Sequence, residues 1–122
     1  MSRILVIDDD MIFRSFLVAL CRKRHHDVVE ATDGRHAERI LADETFDLVI
    51  SDLFMPDKDG LEVVRGLKAR GYGGPIVLIS GQFVSSEDTY AKAAIAFGAD
   101  AALPKFGDPA DLLSHIDRFL AA

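Results

Sequence analysis

Four short runs of branched aliphatic residues divide the chain. They cover residues 4–7, 48–50 and 76–79, with a weaker run at 28–29. The three stronger runs are continuous rather than alternating, which is typical of strands buried on both faces, as in a parallel sheet covered by helices. A fifth run of small and apolar residues, 101–103, fits an edge strand.

Between these runs, apolar residues recur every three or four positions, which predicts helices with one buried face. The positions are Phe13, Phe16, Leu17 and Leu20; Ala37, Ile40 and Leu41; Leu61, Val64 and Leu67; Ala91, Ala94 and Phe97; and Leu112, Leu113, Ile116, Phe119 and Leu120. The chain is therefore predicted to be an α/β domain of five βα units, (βα)5. Right-handed crossovers make it a three-layer sandwich, whose ligands bind at the carboxyl ends of the strands.

Local signals agree with these helix positions. Residues 59–62 and 85–88 have the pattern of capping boxes, and Asp108 precedes Pro109 as an N-cap precedes a first-turn proline. Four glycines fall where helices should end: Gly71, Gly73, Gly74 and Gly98.

Length and charge narrow the classes of function. The 122 residues suit one domain, 1–122, and 14 basic against 20 acidic residues give a net charge of −6. Such a chain repels a phosphate backbone, so we expect no direct nucleic-acid binding. The first apolar run is interrupted at Asp8, which argues against a signal sequence or membrane insertion. A single cysteine, Cys21, suits a buried thiol in a reducing cytoplasm.

Polar residues capable of chemistry follow four of the predicted strands: Asp8, Asp9 and Asp10 the first, Ser51 and Asp52 the third, Ser80 the fourth and Lys105 the fifth. Parallel strands end at one rim, where crowded carboxylates repel one another unless a cation lies between them. Mg²⁺ prefers oxygen ligands, and the chain has no Cys/His cluster with zinc spacing. The pattern therefore predicts a Mg²⁺ site.

Together these segments resemble the receiver domains of bacterial two-component response regulators, of which chemotaxis regulators are one type. The resemblance spans residues 4–120 and lies in segments 7–9, 52–60 and 80–81, and in 98–100 leading to Lys105. It implies a flavodoxin-like fold with strand order 2-1-3-4-5.

The resemblance also implies a role for each site residue. Asp52 is expected to be the nucleophile that accepts a phosphoryl group, while Lys105 pairs with one phosphoryl oxygen and Ser80 donates its hydroxyl to another. Mg²⁺ is expected to be bound by Asp9, Asp52 and the backbone carbonyl of Phe54, with Asp8 acting mainly through a water.

The implied partners are a sensor histidine kinase or phosphotransfer protein upstream and a protein effector downstream. The resemblance also allows a phosphorylation-dependent homodimer. The domain would catalyse only its own phosphorylation and dephosphorylation, so we expect a cytoplasmic signalling module rather than an enzyme.

Two positions depart from the family pattern. Receiver domains usually have a proline with a cis bond directly after the lysine, whereas here Phe106 follows Lys105. A cis bond before a non-proline residue costs about 3 kcal/mol, so we expect none here. Ala102 stands where an aromatic switch residue is usual, and output through Phe106 or the 83–84 loop is a hypothesis. Phe54 and Gln82 are expected to flank the path of the hydrolytic water.

Two other functions stay open at this point. One is a pseudo-receiver that binds partners without phosphorylation, which the departures at Ala102 and Phe106 suggest. The other is a phosphohydrolase of the haloacid dehalogenase type, since Asp8 and Asp10 follow a strand with one residue between them. For Asp10 itself we favour a helix N-cap, and for His25 and His26 a solvated helix end.

Overall fold

The computed structural model describes residues 1–55, 58–83 and 89–121. Strands and helices alternate along the chain as predicted. They are β1 (Arg3–Ile7), α1 (Met11–Lys23), β2 (Asp27–Ala31), α2 (Gly34–Leu41), β3 (Leu48–Asp52), α3 (Gly60–Ala69), β4 (Ile76–Ser80), α4 (Thr89–Ala96), β5 (Ala101–Pro104) and α5 (Pro109–Leu120).

The five strands form one parallel sheet in the order β2-β1-β3-β4-β5. This confirms the predicted order and places β5 at an edge. The order reverses between β1 and β3, because the chain leaves β1 toward one edge and returns to its other side. A crevice opens at such a reversal, outside the carboxyl ends of the strands.

Two apolar clusters cover the two faces of the sheet. Helices α1 and α5 pack on one face, through residues such as Leu17 and Ile116, and α2, α3 and α4 pack on the other. Successive residues of β1 alternate between the clusters, with Ile4 in one and Leu5 in the other. Strands buried on both faces explain why the apolar runs are continuous, and the three-layer prediction is confirmed.

Helix ends follow the predicted signals. The Asp59 carboxylate accepts from the Glu62 amide at 2.9 Å, and Asp108 caps α5 ahead of Pro109. Gly71 and Gly98 have φ of 81° and 121°, which lets the chain turn directly after α3 and α4. The capping box predicted at 85–88 lies outside the described residues.

The buried face of α1 differs from the predicted one. The apolar spacing places Phe16 among the core positions, but 43 % of it is exposed. The residues that face the sheet are Phe13, Leu17, Val18 and Cys21. Phe97, which follows α4, is likewise half exposed. Apolar spacing marks the helix correctly but does not tell which edge of a wide apolar stripe contacts the sheet.

Candidate functional site

Three aspartates meet where β1 and β3 end. Carboxylate oxygens of Asp8, Asp9 and Asp52 lie within 4.8 Å of one another. Asp8 and Asp52 are buried, at 0 % and 6 % exposure, whereas Asp9 is open to solvent. The register that pairs Ile7 with Ser51 brings the two strand ends side by side. The predicted acidic rim therefore forms from residues more than forty positions apart in sequence.

Lys105 reaches into this acidic cluster from the turn after β5. Its Nζ lies 2.8 Å from Asp8 Oδ2, 3.6 Å from Asp52 Oδ2 and 3.9 Å from Asp10 Oδ2. Only 7 % of the side chain is exposed. Although Nζ is close to Asp8 Oδ2, this buried oxygen has no well-aligned hydrogen-bond donor among the described residues. The contact is therefore an ion pair between two buried side chains.

The electrostatics of Asp52 reflect this crowding. Burial, and then the Asp8 carboxylate, raise its pKa to about 7, although Lys105 opposes the shift. For Lys105, burial lowers the pKa, but the surrounding carboxylates outweigh burial and hold the pKa above its ordinary value. The lysine stays charged, while Asp52 is only partly ionised at neutral pH unless a further positive charge binds nearby.

The donor set fits a hard divalent cation. Carboxylates outnumber the ammonium in the cluster, its candidate ligands are all oxygens, and one buried oxygen of Asp8 lacks an aligned donor. An acidic cluster of this kind is typical of a Mg²⁺ site. The second Asp8 oxygen, Oδ1, already accepts from the Asp10 amide at 2.9 Å. This bond holds one oxygen of the Asp8 carboxylate in place.

Ser80 lies at the same rim, at the end of β4. Asp52 pairs with Ile79 in the sheet, so Ser80 is one residue beyond the partner of Asp52. Its side chain is buried, and its Oγ accepts from the Gln82 amide at 2.9 Å. The Ser80 carbonyl accepts from the Lys105 amide, also at 2.9 Å. The backbone therefore joins the serine and the lysine directly.

Phe54 follows Asp52 by two residues, with 51 % of its surface exposed. Together with Gln82 and Tyr90 it lines an open cleft of about 330 Å³. The cleft brings Phe54 and Gln82 together, and their place beside the path of the hydrolytic water stays a prediction. The role of the Phe54 carbonyl as a metal ligand stays a prediction.

Arg14 is a site residue that sequence reasoning missed. Its Nη1 donates to the Asp8 carbonyl at 2.7 Å, and its Nε pairs with Glu30 on β2 at 3.1 Å. The side chain is only 12 % exposed. Arg14 therefore ties the loop that bears Asp8 to the neighbouring strand. Its target is a backbone carbonyl, which side-chain spacing does not reveal.

Phe106 and Ala102 are the two positions that depart from the family pattern. There is no cis peptide bond among the described residues, as predicted for the bond after Lys105. Lys105 nevertheless reaches the acidic cluster. Ala102 is buried in the same apolar cluster as Phe83, whereas Phe106 is 77 % exposed. Val84, the other half of the loop proposed for output, lies outside the described residues.

Several minor predictions are also settled. The Asp10 carboxylate accepts from the amides of Ile12 and Phe13, which confirms its role as the N-cap of α1. Cys21 is buried, as predicted. Burial raises the pKa of its thiol to about 11. His25 is exposed just past the end of α1, as predicted, whereas His26 is half-buried and its Nδ1 accepts from the Ser2 amide at 3.3 Å. In the described part of the chain, no helix has the length and apolarity needed to cross a membrane.

Comparison with known proteins agrees with this geometry. The response regulator receiver domain model matches residues 4–117. The response regulator MprA of Mycolicibacterium vanbaalenii is 39 % identical over 118 residues, covering 97 % of this chain and 50 % of that protein. The chain thus spans about half the length of the curated relatives it matches.

Solved structures show the same fold over the whole domain. The BeF3-activated receiver domain of Klebsiella pneumoniae RstA superposes with a TM-score of 0.89 at 31 % identity, covering 98 % of this chain and 99 % of that one. Thermotoga maritima TrrA, in complex with Mg²⁺-BeF, gives 0.83 at 26 %, covering 98 % and 100 %. Receiver domains are signalling domains rather than conventional enzymes. The chain belongs to the response regulator receiver domain family of two-component systems.

Proposed function

We propose that this receiver domain accepts a phosphoryl group on Asp52 with the help of Mg²⁺. The observation that carries the proposal is the buried Asp52 carboxylate, which lies beside two further aspartates and 3.6 Å from the Lys105 ammonium. A nucleophile, acidic metal ligands and a fixed cation thus occupy one rim, and phosphoryl transfer needs all three.

Asp52 supplies the bond-forming oxygen. A carboxylate lone pair attacks phosphorus in line, the bond from phosphorus to the donor breaks, and the donor leaves with that electron pair. The attacking oxygen must be ionised, which is unfavourable in the metal-free cluster, where burial and Asp8 raise the pKa of Asp52 to about 7. Asp9, Asp52 and the Phe54 carbonyl are the proposed direct ligands of Mg²⁺, with Asp8 acting through a water. When bound, Mg²⁺ neutralises charge on the phosphoryl oxygens during transfer.

Lys105 and Ser80 are proposed to hold the transferred group. The ammonium lies between the Asp8 and Asp52 carboxylates, so a phosphoryl oxygen on Asp52 comes within its reach. The Ser80 hydroxyl accepts from the Gln82 amide, and within the described part of the chain its own proton remains available to donate. Each of the two side chains would bind a different phosphoryl oxygen. Because Ser80 and Lys105 share a backbone hydrogen bond, we expect movement of one residue to shift the other.

Family membership implies a histidine kinase in the same system. We propose that the kinase, or a phosphotransfer protein, phosphorylates Asp52 and that a downstream protein reads the resulting shape. A phosphorylation-dependent homodimer, a cytoplasmic location and a single functional unit over residues 1–122 belong to the same proposal.

The test is the intact-protein mass after incubation with acetyl phosphate and Mg²⁺. We expect wild type to gain one phosphoryl group, and Asp52→Asn or wild type with a chelator to gain none. Asp33→Asn is a matched control, because Asp33 follows β2 at the same end of the sheet but caps α2. It should be labelled like wild type.

An unlabelled wild type, under conditions that label another receiver domain, would overturn the proposal. It would favour a module that binds partners without phosphorylation. Labelling of Asp52→Asn at the wild-type rate would instead show that another residue accepts the phosphoryl group.

A further inference from the structure

The ammonium of Lys105 rests on an aromatic ring as well as among carboxylates. Its Nζ lies 4.9 Å from the centroid of the Phe13 ring, within the range of a cation–π contact. Both side chains are nearly buried, with 7 % of each exposed. Cation–π contacts strengthen when water is excluded, so the ring contributes to where the ammonium settles.

Phe13 is itself held in place by its helix. Its amide donates to the Asp10 carboxylate that caps α1, and its side chain belongs to the apolar cluster between α1, α5 and the sheet. The Phe16 ring packs against it at 6.1 Å and the Phe106 ring at 6.4 Å, the latter edge to face at 81°. The ring beneath Lys105 is therefore in contact with two further aromatic rings, those of Phe16 and Phe106.

Phe106 connects this group to the loop that follows Ser80. A Cβ atom added to Gly81 would lie 2.9 Å from Phe106 Cε2, so the ring covers the Gly81 backbone closely. Phe106 is thus in contact with both Phe13 and Gly81 while most of its surface stays exposed. This is the residue that stands where the family usually has a proline.

We propose that Phe13, supported by Phe106, positions the Lys105 ammonium for the phosphoryl group. A lysine has a long flexible side chain and loses much rotamer freedom when fixed. Asp10, with an exposed carboxylate 3.9 Å from Nζ, offers the ammonium an alternative partner away from Asp52. The Phe13 ring favours the inner position, beside Asp8 and Asp52. The inference rests on the proposed role of Lys105 in phosphoryl transfer.

The first test of this proposal measures the position of the Lys105 side chain in the unphosphorylated protein. In metal-free protein, the ring current of Phe13 should displace the Lys105 ε-methylene proton resonances upfield in NMR spectra, assigned by their loss in Lys105→Arg. Phe13→Leu should abolish the displacement, and Phe13→Tyr should preserve it. Phe16→Leu is the matched control, since Phe16 packs on Phe13 from the same helix, whereas the ring that meets the Lys105 ammonium is that of Phe13. An unchanged displacement in Phe13→Leu would overturn the proposal.

The consequence for function is measured as the initial rate of labelling by acetyl phosphate. Loss of the cation–π contact should lower the rate roughly three- to tenfold in Phe13→Leu, with recovery in Phe13→Tyr. Phe106→Leu, at an exposed position that does not threaten folding, should reduce both the rate and the upfield displacement in part. Equal rates in wild type and Phe13→Leu would overturn the positioning role. Absence of labelling in wild type would overturn the proposed function and leave the NMR result standing.

Discussion

Asp52 carries an unfavourable charge in the metal-free protein, and this makes stability depend on pH. Its folded-state pKa of about 7 lies above that of an unfolded aspartate, near 3.9. The folded state therefore binds the proton more tightly, and the contribution of Asp52 to stability falls as pH rises from about 4 to about 7. Above that range the full penalty for the charge is present.

Replacing this carboxylate by a neutral amide should therefore stabilise the metal-free fold. We expect Asp52→Asn to raise the free energy of unfolding at pH 8 by on the order of 1 kcal/mol, with little effect at pH 5. Urea unfolding of wild type and Asp52→Asn at both pH values, in the presence of a chelator, measures this difference in the free energy of unfolding. A variant less stable than wild type at pH 8 would show that the Asp52 charge is well compensated by Lys105 alone.

His25 holds a backbone conformation that suits glycine better. It follows the last turn of α1 with φ of 65°, the left-handed region that is strained for a residue with a Cβ. We expect His25→Gly to raise the free energy of unfolding by about 0.5–1 kcal/mol. The free energy gained by relieving backbone strain in the folded state exceeds the entropic cost of a glycine, which makes the unfolded chain more flexible. Ala19→Gly, at an exposed position inside the helix, should lower it by about 1 kcal/mol. Thermal unfolding of both variants checks the sign, and a loss in both would contradict the argument.

Helix α3 contains two glycines with opposite requirements. A Cβ at Gly60 would lie 2.6 Å from the Asp52 carbonyl oxygen and 2.9 Å from Leu53 Cα, both backbone atoms that cannot turn aside. At Gly66 such a Cβ would meet nothing within 4 Å. The start of α3 thus packs directly on the strand end that bears the nucleophile, while the middle of the helix has free space.

The same substitution should therefore act in opposite directions along one helix. Gly66→Ala should raise the free energy of unfolding by roughly 0.5–1 kcal/mol through helix propensity. Gly60→Ala should lower it by roughly 1–3 kcal/mol and slow labelling of Asp52, because the backbone must move. Urea unfolding and acetyl phosphate labelling measure both. A neutral Gly60→Ala would mean that the helix start shifts freely.

Much of this architecture could be predicted from local pattern. Strands buried on both faces leave continuous apolar runs, and the polar residues directly after them must share one rim, which is why Asp8, Asp52 and Lys105 were found together. Contacts between elements leave no such trace. The hydrogen bond from Arg14 to a backbone carbonyl and the contact of Lys105 with Phe13 depend on how α1 is rotated on the sheet. The exposed position of Phe16 has the same origin.

The acidic rim links metal binding to the stability of the domain. A ligand that binds only the folded state stabilises it by RT ln(1 + [L]/Kd), about 1.4 kcal/mol at a concentration of ten times Kd. With a net charge of −6, added salt also stabilises the chain by general screening. The specific effect of Mg²⁺ must therefore be compared with NaCl at equal ionic strength.

At pH 8 we expect Mg²⁺ to raise the melting temperature more than NaCl does. At pH 5 the difference should shrink, because a proton on Asp52, whose pKa is about 7, competes with the cation. Asp9→Asn removes one of the clustered carboxylates without burying a new group, since Asp9 is exposed, and should abolish most of the difference. Asp33→Asn should leave it intact. Equal shifts of the melting temperature with Mg²⁺ and NaCl at pH 8 would show that Mg²⁺ has no specific effect on stability. A full Mg²⁺ effect in Asp9→Asn would place the cation outside this cluster, so that its effect on stability would not report on the site of Asp52.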